Sequence, residues 1–468
     1  MPVPKGSLWD VPWHDKYSAA CCGDVYSLLK NLMAIAAPST SFTVEHQIRK
    51  AFQSWRYRIF GVMWLLYAGY YLCRKNYAVA QPVFMKEFGW NEHDVGIIIT
   101  SYLTMYAVGQ FISGPLGDRY GARKIITFGL ILSVIVNVLF SQSSSILLMA
   151  VLMGINGVAQ STGWSNSMKT MSNWFSVNER GRMMAWWATN YQIGDVVATG
   201  FAAFIIGFAS WREAFWIPAI GLAIVGIVFL WGQRNRPEDV GLPSLAEHMK
   251  LGPLEENFNK GAIGEKRISL GEILKEVLWN KYIWNLGFSY FFLKLVRYTF
   301  LFWLSTYLVH ILGFRADKAG YMSIIFPFAG FLGTVAAGYS SDKLFSARRG
   351  PVSVIMLTVL FISIYAYSLF AGHPIFGPLA LGFIGFCTFG PDTLISATAA
   401  MDFGSRKASS TAAGFINGLG SIGAALSGVL VAWISVAFGW SEVFYFLMLA
   451  TFACGVLQMF MWNARGAN

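Results

Sequence analysis

The feature that most constrains this chain is the recurrence of apolar runs about 20 residues long, the length that crosses a hydrocarbon core ~30 Å thick. Counted between charged or Pro/Gly-rich breaks, twelve spans are predicted. They lie at 58–81, 94–115, 124–141, 145–168, 182–208, 213–233, 283–311, 316–340, 352–371, 374–402, 405–438 and 441–462. Only 13% of the residues are charged and 55% are hydrophobic, whereas a soluble globular chain carries about 25% charged residues. These facts exclude a soluble fold and predict an all-α polytopic membrane protein.

The net charge of +11 does not read as a nucleic-acid footprint, because the basic residues occupy short loops between spans. One set of loops holds Arg119, Arg123, Lys124, Arg180, Arg182, Lys343, Arg348, Arg349, Arg406 and Lys407. The opposite set holds Lys86, Arg212, Arg315 and Lys318. The positive-inside rule then places both termini and the polar stretch 234–281 in the cytoplasm. The expected organisation is a cytoplasmic tail (1–57), a first six-helix bundle (58–233), a cytoplasmic linker (234–281) and a second bundle (282–468). The opening MPVPKGSLWD lacks the layout of a cleaved signal peptide. The five cysteines form neither a metal spacing nor a disulfide framework, and no cofactor is expected. No Asn-x-Ser/Thr acceptor occurs, which fits a bacterial inner membrane better than a glycosylated eukaryotic surface.

The two halves repeat. GPLGDRYGARK (114–124) follows the second span and GYSSDKLFSARRG (338–350) the eighth, so Asp118 and Asp342 stand 224 residues apart. Arg74 and Arg297, each in the first span of its half, stand 223 apart. NYQIG (190–194) and LGSIG (419–423) are offset by 229, as are Trp211 and Trp440. Landmarks at nearly one offset predict two parallel six-helix repeats. That is the arrangement of major facilitator transporters, whose substrate site lies near the midplane between the halves. The 114–124 segment resembles that superfamily's loop motif. On this resemblance Gly114, Asp118, Arg119 and Gly121, with Asp342 in the second half, are structural, Asp118 accepting from helix-end amides.

Arg74 lies about sixteen residues into its span, roughly 24 Å along a helix. A guanidinium that deep costs at least ~2.5–3.5 kcal/mol, so it faces either a partner or a water-filled cavity. Arg297, at the matching position of the other half, favours the second reading: the pseudo-symmetry aims both guanidiniums at one cavity. Two such forks match phosphate oxygens bidentately. Lys294, three residues before Arg297, shares its helix face. Tyr67, Tyr70 and Tyr71 share the face of Arg74, either as hydroxyl donors or as interhelical packing. Lys75 points about 100° away and is left to a carboxylate or to the cavity edge. Asp195 and Asp392 lie within spans. The favoured reading is that each neutralises a nearby cation, Lys294 being a candidate partner; the alternative is proton coupling. The small residues of 409–428 permit close helix contact and sliding.

YAGYYLCRKNYAVAQP (67–82), LVRYTFLFWLSTYL (295–308), SDKLFSARRGP (341–351), TFGPDTLIS (388–396) and NRPEDVGLP (235–243) resemble, in order, segments of the organophosphate:phosphate antiporter family. The resemblance runs from about residue 51 to the end. It implies exchange of a phosphorylated solute, such as glycerol-3-phosphate or a sugar phosphate, for inorganic phosphate by a carrier that works as a monomer. It further implies that Arg74 and Arg297 grip the phosphate. Tyr67 and Tyr71 match site tyrosines of the family, and Trp187 and Tyr191 fall on its fifth-span site segment. The chain also departs from the family. Its glycerol-3-phosphate and hexose-phosphate members typically have a histidine where Tyr191 stands, a lysine where Gln110 stands, and an uncharged residue near Lys294. Two competing readings share the fold: a proton-coupled organic-anion symporter and a sugar-phosphate sensor.

Overall fold

The computed structural model describes residues 38–176, 179, 183, 186–187, 189–249, 278–345, 348–399 and 409–463. Arg180, Arg182, Arg406, Lys407, most of the 234–281 linker and most of the 1–57 tail lie outside that description. So do the side chains of Pro115, Asp118 and Asp342.

The regular structure of the described residues is all helical, and eleven of the helices are long and apolar enough to cross a membrane. In chain order the helices are α1 (Pro38–Tyr70), α2 (Asn76–Phe88), α3 (Glu92–Tyr120), α4 (Ala122–Ser141), α5 (Ile146–Trp174), α6 (Thr189–Phe208) and α7 (Glu213–Gly232). The second half contains α8 (Lys281–His310), α9 (Ala316–Ser323), α10 (Ile325–Lys343), α11 (Arg349–Phe370), α12 (Phe376–Thr393), α13 (Ser409–Ala437) and α14 (Trp440–Met459). The predicted first span is not one helix. It is α1 and α2 joined through a 3-10 turn, Tyr71–Cys73. The predicted tenth span ends in a π-helical segment, Leu394–Ala399.

Local chemistry sets the ends. Gly89, at φ 68°, closes α2. Asn91 and Asp94 then cap α3 reciprocally, each side chain accepting from the other's amide. Large apolar side chains such as Leu147 and Phe128 face outward, 75% and 64% exposed. In water such a surface would aggregate; in lipid it is the solvent-matched face. The interior instead collects polar groups, among them Asn137, Asn156 and Gln160.

The 114–124 loop is tied to the start of the linker. The Arg123 amide donates to Asn235 Oδ1 at 3.0 Å, Asn173 Nδ2 donates to the Asn235 carbonyl, and Lys169 Nζ donates to the Gly117 carbonyl. Gly121 is at φ 90°, and a Cβ there would lie 3.2 Å from Asn235 Nδ2.

Among the described residues the halves approach closely on the side of the Gly89, Gly313 and Gly439 turns. A Cβ on Gly96 (α3) would meet the Ala432 methyl (α13) at 2.6 Å, and one on Gly320 (α9) would meet the Ala203 methyl (α6) at 2.6 Å. On the same side Glu92 faces His310 across the halves at 3.6 Å. Toward the linker, α3 and α13 meet through a side chain instead: the Phe111 ring reaches Gly418.

Candidate functional site

The break after Tyr70 builds the first half of the site. Interrupting a helix in lipid leaves carbonyls that water cannot satisfy. Here α5 supplies the donors. Gln160 Nε2 donates to the Cys73 carbonyl at 2.9 Å and to that of Tyr70 at 3.2 Å, and Asn156 Nδ2 donates to Cys73 at 2.8 Å. The same Gln160 turns its oxygen to Arg74, accepting from Nε at 2.8 Å, and also accepts from the Tyr102 hydroxyl. Gln160 therefore stabilises the break and aims the guanidinium at once. Arg74 lies over the rings of Tyr71 and Tyr106 at 4.7 and 5.1 Å. Its Nη2 is buried and has no hydrogen-bond partner among the described residues.

Arg74 and Lys75 diverge at this break. Lys75 Nζ lies 3.2 Å from Asp195 Oδ1 on α6 and donates to the Leu301 carbonyl of α8 at 2.8 Å. Thr199 donates to the same Asp195 oxygen. Lys75 thus reaches a carboxylate and crosses to the other half as well.

In the second half, α8 presents both cations. Arg297 Nη1 donates to Asp392 Oδ2 at 2.9 Å, and its guanidinium lies over the Phe389 ring and faces Tyr191 of the first half at 5.7 Å. Lys294 takes another direction. Its Nζ donates to Asn417 Oδ1 at 2.6 Å and to Ser421 Oγ at 3.4 Å, both on α13. Asp195 and Asp392 therefore pair with Lys75 and Arg297, and Lys294 rests on neutral groups.

Of the residues singled out from the sequence, Arg74, Tyr71, Arg297 and Tyr191 come together. Tyr71 and Tyr298 each lie within electrostatic reach of both arginines. Tyr67 and Trp187 stand behind them in an aromatic wall, their ring centroids 5.2 Å apart, with Trp164 alongside. Tyr70 packs against the Tyr67 ring and shares a hydrogen bond with Thr162. Sequence reasoning did not single out Gln160, Asn156, Tyr106, Tyr298, Asn417 or Ser421. A glutamine and an asparagine within apolar spans were the available signals for Gln160 and Asn417.

The model of the Major Facilitator Superfamily matches residues 63–428. The chain belongs to the major facilitator superfamily. A glycerol-3-phosphate transporter of Bacillus subtilis (strain 168) is 33% identical over 91% of this chain and 97% of its own length. A probable hexose phosphate transport protein of Chlamydia pneumoniae is 30% identical, over 90% of this chain and 94% of that one. The membrane sensor protein UhpC of Escherichia coli (strain K12) is 31% identical, over 92% and 97%. With these relatives the chain falls within the organophosphate:phosphate antiporter family. Among solved structures, a bacterial homologue of the human lysosomal transporter Spinster superposes with a TM-score of 0.68 at 14% identity, covering 87% of this chain and 95% of that one. A mutant of the nucleoside transporter NupG gives a TM-score of 0.65 at 13% identity, covering 86% and 100%. At those identities the likeness is one of fold alone.

Proposed function

We propose that this multi-pass membrane protein is a secondary transporter that exchanges a phosphorylated organic solute, of the glycerol-3-phosphate or sugar-phosphate type, for inorganic phosphate by alternating access. The observation that carries this reading is Arg74. It is a buried guanidinium with an unpartnered Nη2, placed by Gln160 beside tyrosines that it shares with Arg297 of the opposite half. A phosphate oxygen supplies what that nitrogen lacks, and the fork geometry suits it. The relatives named for glycerol-3-phosphate and hexose phosphate support the same class of solute.

Exchange follows from electrostatics. A closing empty cavity strips water from an uncompensated cation, whereas an anion neutralises it, so the loaded carrier reorients more readily. The carrier works as a monomer in a bacterial inner membrane, with both termini cytoplasmic and bundle limits at 58–233 and 282–468. No catalytic step is assigned to it. Proteoliposomes loaded with phosphate are expected to take up labelled organophosphate. Equally fast uptake with no internal anion would sink obligatory exchange.

The symport reading needs a carboxylate free to titrate, and the two singled out from the sequence, Asp195 and Asp392, are each occupied by a cation. The sensor reading rests on the UhpC relative; tight binding with negligible turnover would favour it.

A further inference from the structure

The buried charges of the site do not balance, and the imbalance has a location. Among the described residues around the site, four cations, the buried Arg74, Lys75 and Lys294 and the half-buried Arg297, stand with two buried carboxylates, Asp195 and Asp392. Asp195 takes Lys75 and Asp392 takes Arg297. Among the described residues no carboxylate lies within 4.0 Å of Arg74 or Lys294. Each half therefore keeps one cation with no carboxylate in direct contact, Asp392 reaching Lys294 only at longer range, and the two differ in kind: Arg74 is a fork and Lys294 a point charge.

Lys294 is held in a built seat. Its stem runs along α13 at Gly420, where a Cβ would come within 3.0 Å of Lys294 Cδ and 2.4 Å of the Tyr290 ring. Its head lies 4.7 Å from the centroid of that ring. An ammonium has three protons to donate. Asn417 and Ser421, one turn apart on α13, accept two of them. Asn417 is half-exposed rather than buried, so the seat opens at its edge. Lys294 precedes Arg297 by three residues, about 4.5 Å along the helix. A buried cation resting on an amide and a hydroxyl is a costly arrangement unless an anion completes it.

We infer that Lys294, positioned by Asn417 and Ser421, forms a second anion subsite, and that the transported solute carries a carboxylate in addition to its phosphate. This rests on the organophosphate reading above and narrows it to phosphorylated hydroxy acids. The phosphate takes the forked Arg74, and the carboxylate takes the remaining ammonium proton of Lys294. The solute then neutralises both uncompensated cations, which a phosphate ester with an uncharged tail does not.

The probes are 3-phosphoglycerate and glycerol-3-phosphate, which differ only by a carboxylate in place of a hydroxymethyl group. Binding to the purified protein, followed by calorimetry, is expected to favour 3-phosphoglycerate by about tenfold or more, as for a hydrogen bond to a charged group. Lys294→Gln should bring that ratio close to one, and Asn417→Ala should lower it in part. The wild-type ratio is informative even if a variant fails to fold. Equal wild-type affinities, or a Lys294→Gln protein that loses both ligands in proportion, would overturn the inference. Phosphate exchange without this preference would sink the inference alone; absence of any binding would sink it together with the transport reading.

Discussion

The Lys75 ammonium lies 3.2 Å from the Asp195 carboxylate, while its neighbour in sequence, Arg74, turns to Gln160. Two adjacent cations in one span thus have separate fates. One belongs to an ion pair that holds α6 against the broken first span and reaches the Leu301 carbonyl of the other half. The other keeps a nitrogen unpartnered.

That division can be tested on stability. Asp195→Asn leaves Lys75 buried without its counter-charge, a loss of about 3–5 kcal/mol in comparable buried pairs. The double replacement Lys75→Met with Asp195→Leu should recover most of that loss, because it removes both desolvated charges together. Melting of the detergent-solubilised proteins measures both. A single variant as stable as the wild type would show that the pair contributes nothing to the fold.

For the arginines the expectation concerns shape rather than charge. Arg74→Lys and Arg297→Lys keep one positive charge each but lose the planar fork. Each should lower phosphate exchange by tenfold or more, on the order of one or two charge-assisted hydrogen bonds. Near-normal exchange in either variant would make that residue a structural cation.

Gln160 has a selective prediction of its own. Gln160→Leu removes the donor to the Tyr70 and Cys73 carbonyls and should destabilise the protein by about 1–3 kcal/mol. Gln160→Glu places a carboxylate against Arg74 Nε and neutralises the cation before any substrate arrives. The expected signature is weakened phosphate binding with Arg74 still in place. Unchanged affinity in Gln160→Glu would mean that Arg74 does not meet the anion.

The apolar spans and the burial of Arg74 were legible because each follows from a one-dimensional pattern: run length and distance from a span end. Ion-pair partners were not. The sequence reading named Lys294 as a candidate partner for the intramembrane carboxylates, yet Lys294 reaches Asn417 on α13, and Asp392 closes on Arg297. Which carboxylate meets which cation depends on interhelical rotation, and pattern carries no information about that. The same limit explains Tyr70. Helical spacing put it on the face of Arg74, but the chain changes to a 3-10 turn at Tyr71 and the shared face ends there. Nothing local in YYLCRKNY requires that break; the donors that stabilise it come from α5, some 80 to 90 residues later.

The seam between α3 and α13 yields the last prediction. Gly428 is packed so closely that a Cβ on it would come within 2.2 Å of Thr100 Oγ1 and 3.0 Å of the Thr100 amide. A Cβ on Gly96 opposite would lie 2.9 Å from the Gly428 carbonyl oxygen. Without a hydrophobic drive between helices in lipid, such backbone approach is what holds two helices together. Gly428→Leu should wedge the halves apart on the side of the Gly89 and Gly439 turns and disfavour the arrangement described here. Alternating access needs that arrangement as one of its end states, so exchange should fall steeply while the separate bundles stay folded. A single cysteine introduced at Thr100 reports the change: its labelling by a membrane-impermeant maleimide should rise several-fold in the Gly428→Leu background. Labelling and exchange both at wild-type levels would show that the seam is not part of the transport cycle.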